Sequence, residues 1–278
     1  MNFIKAIIFG IIEGITEWMP VSSTAHMKIL NILLPLNVSE EFYKVYEVVI
    51  QLGAILALLL IFFKKVFPFG KSSNPLGKGI LEYIKRDRFI LWIKIFIACL
   101  PAIIYELLLE DKFNFVNASN EMMIIAISLI LVGIIFIVVE YKIKGTRVLV
   151  SSTKNITYLN ALIIGFAQLL AAIFPGVSRS GATIIAALLM AISRTTAVEF
   201  TFELAIPVMF GASLMKIIKY QGAVGFSEIF LLIIGCVTAF FVSLFMIRFV
   251  LDYIKKNDFK IFGIYRILLG IIILLFLI

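Results

Sequence analysis

Six long stretches of this chain are predominantly apolar with no proline-and-hydroxyl break, and two more are interrupted near their centres by proline and a run of hydroxyl residues. That contrast constrains the fold more than anything else in the sequence. The unbroken stretches cover about residues 45 to 63, 90 to 109, 121 to 141, 200 to 220, 226 to 250 and 260 to 278. A helix crosses the hydrocarbon of a bilayer with roughly 20 apolar residues, so all six are predicted to span it. Residues 3 to 34 are broken by Pro20 and Ser22-Ser23-Thr24, and residues 157 to 192 by Pro175-Gly176 and Ser178-Arg179-Ser180-Gly181. Each half of a broken stretch is about 15 residues, too short to cross, which predicts two re-entrant helical hairpins that dip in and return.

Composition excludes the alternatives. Hydrophobic residues make up 62% and charged ones 15%, against about 45–50% and about 25% in a soluble domain, so a soluble globule is ruled out. Barrel strands would alternate apolar and polar residues, whereas Leu56 to Phe63 and Met122 to Val139 are apolar nearly throughout. The expected fold class is therefore all-α, one polytopic membrane domain over residues 1–278. The net charge of +8 is carried in short loops beside apolar segments, where cations anchor to anionic lipid, and no nucleic-acid partner is expected. Cys99 and Cys236 lie in apolar runs without a CxxC pattern or a nearby histidine and read as small buried hydrophobes. The N-terminal run carries Lys5, but Glu13 and Glu17 interrupt it and no small-residue cleavage site follows, so it is not read as a removable signal.

The basic loops assign sides. The loop from Lys64 to Arg88, the loop with Lys142, Lys144, Arg147 and Lys154, and the segment with Lys255, Lys256 and Lys260 are predicted cytoplasmic. The segment from Glu110-Asp111-Lys112 to Glu121 has no basic excess and is predicted to face outward, as is Ile278. Lys5 at an outer N-terminus runs mildly against the rule. A shift of 155 residues aligns Gly10, Glu13, Pro20 and Ser23 with Gly165, Gln168, Pro175 and Ser178, and a shift of 152 aligns Glu47 and Gln51 with Glu199 and Glu203. Residues 1–150 and 151–278 then share one plan, a hairpin followed by three spans, and the odd number of spans inverts the second copy. Such inverted repeats bring broken helices together at the bilayer midplane, so a site is predicted where the two hairpin tips meet.

An ionisable residue at the membrane centre costs about 2.5–3.5 kcal/mol, so Glu13, Glu17, Arg179 and Glu203 are expected to be retained for function. Glu13 and Glu17 are four apart and share a helix face. Two close anions in a low dielectric call for a proton or a cation between them, which leaves general acid/base work, divalent metal binding and the lining of a wet cavity all open. Ser22 or Ser23 can cap the following helix, whose first turn holds His26, the only histidine. A serine, a histidine and an acid together can activate a hydroxyl or a water. The second tip adds a guanidinium between hydroxyls, an arrangement suited to phosphate, with a purely structural pairing of Arg179 to Glu13, Glu17 or Glu203 as the alternative. Lys94, Glu106, Arg248 and Arg266 lie near span ends and are predicted to be snorkelling anchors. A phosphate-binding, acid-containing site open to lipid suits a phosphorylated lipid.

The segment from Glu13 to His26, EGITEWMPVSSTAH, resembles the EGxTExxPVSSxxH signature of the undecaprenyl-diphosphatase family, the bacitracin-resistance proteins. Pro175 to Gly181, PGVSRSG, matches that family's second signature, PGxSRSG, and the segments Glu47 to Ala54 and Phe202 to Pro207 are similar to further family segments. Ala25 stands where many members have glycine, and Glu203 falls in a segment that is often less polar. The resemblance implies hydrolysis of undecaprenyl diphosphate to undecaprenyl phosphate and phosphate in a bacterial cell membrane, with the site on the outer face. It implies recycling of the lipid carrier for cell-wall synthesis and resistance to bacitracin. By motif, Glu13 and Glu17 are the acidic pair and hold a divalent cation, Mg2+ or Ca2+. Ser23 and His26 are the hydroxyl and its base, and Arg179 is the phosphate clamp. Ser22, Thr24, Ser178, Ser180 and Gly181 complete the phosphate site. The partners expected are the polyprenyl diphosphate, membrane lipids and a second copy of the chain in a homodimer. Attack by Ser23 and attack by an activated water remain open. So does a rival reading as a transporter or flippase of an anionic isoprenoid lipid, and a structural membrane scaffold is a third class; transport needs an anion site but no activated hydroxyl.

Overall fold

The computed structural model describes residues 2–71, 73–108, 116–117 and 120–278. The first broken stretch forms α1 (Asn2–Thr16) and α2 (Ser23–Leu33), followed by α3 (Glu40–Val49), α4 (Gln51–Val66), α5 (Arg86–Leu108) and α6 (Glu121–Ile143). The second forms α7 (Tyr158–Ile173) and α8 (Arg179–Leu189), followed by α9 (Arg194–Lys219), α10 (Phe226–Ile254) and α11 (Lys260–Phe276). Among the described residues no strand forms, only isolated bridges such as Phe69 with Ile84. The fold is all-helical, as the unbroken apolar runs require.

Among the described residues five segments are long and apolar enough to cross a membrane: α3 with α4 (27 residues), α5 (23), α6 (23), α9 (26) and α10 (29). The sequence predicts six. The sixth, α11, has 17 residues, at the lower end of the roughly 17–25 that a span takes. The helices of the two broken stretches are shorter still, with 15 residues in α1, 11 in α2, 16 in α7 and 11 in α8. The predicted outward segment at Glu110, Asp111 and Lys112 lies outside the described residues.

The two halves interleave. The longer helix of each broken stretch packs on a span from the other half, α1 on α10 and α7 on α5, and α4 meets α10 as α9 meets α5. Lipid gives apolar helices little reason to associate, so close backbone approach supplies the packing. A Cβ on Gly10 would stand 2.7 Å from the Gly235 carbonyl oxygen, and one on the repeat-related Gly165 would run into the Ala98 carbonyl. Only glycine permits those crossings. Trp18, fully buried between α1 and α2, meets Phe202 of α9 edge-on at 5.1 Å, and Phe202 meets Phe62 of α4 at 6.3 Å. These contacts seat the first tip on the shared core. The buried Glu140 carboxylate pairs with the Arg194 guanidinium and accepts from the Phe259 amide at 3.1 Å, joining α6, α9 and the start of α11. Leu131, Phe241, Phe245 and Leu268 stand exposed on the outer helix faces, as a lipid-solvated surface requires. Cys99 and Cys236 are free thiols.

Candidate active site

Each break is built the same way. Ser22 precedes α2 with φ 73° and accepts from the Ala25 amide at 3.4 Å; Ser178 precedes α8 with φ 69° and accepts from the Gly181 amide at 3.2 Å. A non-glycine residue in the left-handed region costs on the order of 1 kcal/mol, and such strain concentrates at functional turns. The serine cap holds each turn in place. Because the caps engage the third amide of each helix, those of Ser23 and Thr24 on one tip, and of Arg179 and Ser180 on the other, have no intrahelical acceptor. The equivalence of the caps sets the offset between tips at 156 residues, from 22 to 178. The 156 offset holds at the caps, so that Ser23 corresponds to Arg179, each the first residue of its helix, while Gly10 and Gly165 keep the shift of 155 along α1 and α7.

The two tips touch. Arg179 Nη2 donates to Glu17 Oε1 at 2.8 Å, and Ser23 Oγ donates to Glu17 Oε2 at 2.7 Å. Arg179 Nη1 donates to the Thr201 carbonyl at 3.3 Å, which fixes the guanidinium from α9. Glu17 continues α1, its amide donating to the Glu13 carbonyl at 3.0 Å, so the two carboxylates sit one turn apart. One cavity of about 220 Å³ is lined by Glu17, Ser22, Ser23, Thr24, Gln168, Ser178, Arg179 and Ser180 among others. Both signature segments therefore face a single space, with an acid, a hydroxyl and a fork-shaped cation in contact. A family model, that of the bacitracin resistance protein BacA, matches residues 6–272.

The chain belongs to the BacA family. It is 49% identical to an undecaprenyl-diphosphatase of Desulfitobacterium hafniense, over 99% of this chain and 96% of that protein. It is 48% identical to undecaprenyl-diphosphatase 1 of Clostridium acetobutylicum (99% and 97%) and 47% identical to an undecaprenyl-diphosphatase of Enterococcus faecalis (99% and 97%).

Four sequence expectations change in this BacA chain. His26 is not the partner of Ser23: its Nδ1 lies 2.7 Å from the Ser22 carbonyl oxygen and its Nε2 lies 2.6 Å from the Tyr265 hydroxyl, with the two rings nearly parallel and edge to edge. A carbonyl only accepts, so Nδ1 carries a proton, and in the neutral ring Nε2 accepts from Tyr265. The hydroxyl's partner is Glu17. Gly181 does not offer its amide to a phosphate, because Ser178 takes it; a Cβ at this position would meet Arg266 Nη1 and Phe136 at 3.4 Å, ordinary van der Waals contact. Arg266 is not a snorkelling anchor. It is 0% exposed and donates from Nη1 to the Pro20 carbonyl at 3.1 Å, and from Nη2 to the carbonyls of Gly176 at 2.7 Å and Val177 at 3.0 Å. One guanidinium on α11 thus ties both tips together, beside the Tyr265 that holds His26. A lone cation inside the apolar run of residues 260 to 278 was the available signal. Lys94 is likewise buried, donating to the Lys154 carbonyl at 2.7 Å, whereas Glu106 and Arg248 are exposed as expected.

Two groups complete the surroundings. Among the described residues, both carboxylate oxygens of the buried Glu13 lack a hydrogen-bond partner, as do both amide atoms of Gln168. A second cavity of about 580 Å³ lies between α5 and α9, lined by Trp92, Phe96, Ile103, Leu107, Pro207 and Met215 among others. It shares Ala102, Ala172, Val208 and Ala212 with the polar cavity, so the two are contiguous. Phe96, Ile103 and Leu107 are exposed at its rim, where the surrounding medium is lipid.

Proposed function

We propose that this BacA protein removes the terminal phosphate of undecaprenyl diphosphate, releasing undecaprenyl phosphate and inorganic phosphate and so recycling the lipid carrier for cell-wall synthesis and conferring resistance to bacitracin. The observation that carries this reading is the Ser23 hydroxyl donating to Glu17 beside Arg179, at the meeting point of two helix N-termini. The polar cavity suits the diphosphate, and the apolar cavity contiguous with it suits the prenyl chain. A transporter needs an anion site but has no use for a hydroxyl poised on a carboxylate, which favours hydrolysis.

The chemistry follows from the contacts. Arg179 and the free amides of the two tips hold the terminal phosphate and stabilise the charge that develops on its oxygens. Ser23 Oγ attacks the terminal phosphorus as its proton passes to Glu17 Oε2, and the bond from phosphorus to the bridging oxygen breaks. Glu17 delivers that proton to the departing undecaprenyl phosphate. Again a carboxylate, it takes a proton from a water that attacks the phosphoserine, and returns it to Ser23 Oγ as inorganic phosphate leaves. His26 and Tyr265 hold the turn without touching the reacting atoms.

A divalent cation, magnesium or calcium, fits the donors in one way. Among the described residues no three His, Cys, Asp or Glu side chains come together to hold an ion, and Glu17 is committed to Ser23 and Arg179. Glu13 has two buried oxygens with no partner, and a hard cation can take one carboxylate and complete its shell with phosphate oxygens and water. Glu13 would hold it, and the bound ion would offset the charge of the diphosphate. Purified protein in detergent, where there is no second compartment, should release phosphate from undecaprenyl diphosphate, and chelation should abolish the release. Glu13→Gln should raise the magnesium concentration needed for half-maximal rate by about tenfold or more, the loss of about 1.4 kcal/mol. Full activity after thorough chelation would remove the metal from this account, and lipid binding without any phosphate release would return it to transport.

The two broken stretches form re-entrant hairpins that enter from opposite faces, with α11 closing a six-span inverted repeat of halves 1–150 and 151–278, and the site faces the outer side of the bacterial cell membrane. Every group in the site comes from one chain, so a homodimer adds nothing to the chemistry. Single cysteines at Lys71 and Lys144 should react with an impermeant thiol reagent only after cells are permeabilised, and one at Ile278 should react in intact cells. Reaction at position 144 in intact cells would overturn this orientation.

A further inference from the structure

Gln168 lines the polar cavity from α7, is 2% exposed, and among the described residues finds no partner for its amide nitrogen or its amide oxygen. A buried polar group left unpaired is destabilising, so this amide does nothing for the fold of the free protein that an apolar side chain of similar shape would not do better. It belongs to the same turn of α7 as Ala172, which lines both the polar and the apolar cavity. The prenyl chain and the terminal phosphate can only be joined through that neck. Its counterpart in the first half is Glu13, so the repeat puts a carboxylate at one position and a neutral amide at the other.

Resting on the phosphatase reading above, we propose that Gln168 is a substrate-binding residue for the lipid-side phosphate, the one that stays on the product, its amide N–H donating to an oxygen of that phosphate. A phosphate only accepts, and of the two amide groups only the nitrogen donates. Neutrality suits the position. A second carboxylate there would repel the diphosphate, and a second cation would hold the lipid monophosphate after cleavage. The terminal phosphate belongs to Arg179 and the two helix N-termini, while the phosphate that remains belongs to Gln168.

The test is Gln168→Leu in purified full-length protein, with undecaprenyl diphosphate as substrate and two products as inhibitors. The variant should raise KM about tenfold or more, the loss of about 1.4 kcal/mol, while kcat changes far less. The inhibition constant of undecaprenyl phosphate should rise by a similar factor, and that of inorganic phosphate, which occupies the other subsite, should stay within about twofold. Thermal stability should hold or increase, because an unpaired buried amide has been removed. A fall in thermal midpoint with both inhibition constants weakened together would make Gln168 a structural residue and overturn the proposal, as would unchanged KM and inhibition constants. Absence of phosphate release by the unaltered protein would instead sink the phosphatase reading beneath it.

Discussion

Ser23→Ala should lose essentially all turnover while the protein stays folded and still binds lipid. The cap of α2 is Ser22, whose hydroxyl accepts from Ala25, so removing the neighbouring hydroxyl does not uncap the helix. Among the described residues, the only side-chain hydrogen bond that the substitution removes is the one to Glu17. If Ser23 merely held the phosphate, the loss would be that of a hydrogen bond to a charged group, about 1.5–3 kcal/mol. A nucleophile has no such ceiling, because the step it performs disappears with it. Phosphate release and thermal midpoint should be measured on the same preparation. A variant with an unaltered midpoint that keeps more than about a hundredth of the rate, equivalent to about 2.7 kcal/mol, would reduce Ser23 to a binding group.

Arg266→Met should be almost as damaging, from a residue that touches none of the reacting groups. The guanidinium serves three carbonyls, one on the first tip and two on the second. Leaving a buried acceptor without a donor costs about 1–3 kcal/mol each, and here the acceptors are the turns that aim Ser23 and Arg179 at one another. The expected result is a lowered thermal midpoint in detergent together with a fall of at least about a hundredfold in kcat/KM, about 2.7 kcal/mol in the transition state. Arg266→Lys should rescue little, because a single ammonium cannot reproduce a fork that reaches both tips. Near-normal kcat/KM in Arg266→Met would show that the tips hold their alignment without α11.

Much of this was legible in the sequence because it rests on local chemistry. Pro20 and Pro175, each followed by hydroxyls, mark the two breaks, since proline cannot continue a helix and serine prefers to cap one. The spacing of Glu13 and Glu17 placed both acids one turn apart, and of that pair Glu17 lines the cavity, with Ser22, Ser23 and Thr24 of the first signature and Ser178, Arg179 and Ser180 of the second. What escaped is what depends on contacts between distant parts of the chain. Ser23 and His26 stand three apart in sequence, yet the imidazole turns away to Tyr265 while the hydroxyl turns back to Glu17. The Arg179 to Glu17 pairing, a structural alternative on paper, is part of the site itself. Arg266 stands near the start of its apolar run, where snorkelling was the natural reading, and nothing local reveals that the run leads it into the gap between two turns. The left-handed serines are equally invisible, because serine gives no hint of the positive φ that glycine would have signalled.

The central claim is that Ser23, its proton passed to Glu17, attacks the terminal phosphorus itself. Undecaprenyl diphosphate labelled in its terminal phosphate, mixed with a stoichiometric amount of protein and quenched in acid on the timescale of a single turnover, tests it most directly. Label should be bound covalently to the peptide containing Ser23, appearing before free phosphate and decaying as free phosphate accumulates, with none on Ser23→Ala. Full release of labelled phosphate with no bound label at any quench time, in protein that turns over normally, would contradict it and give the attack to water.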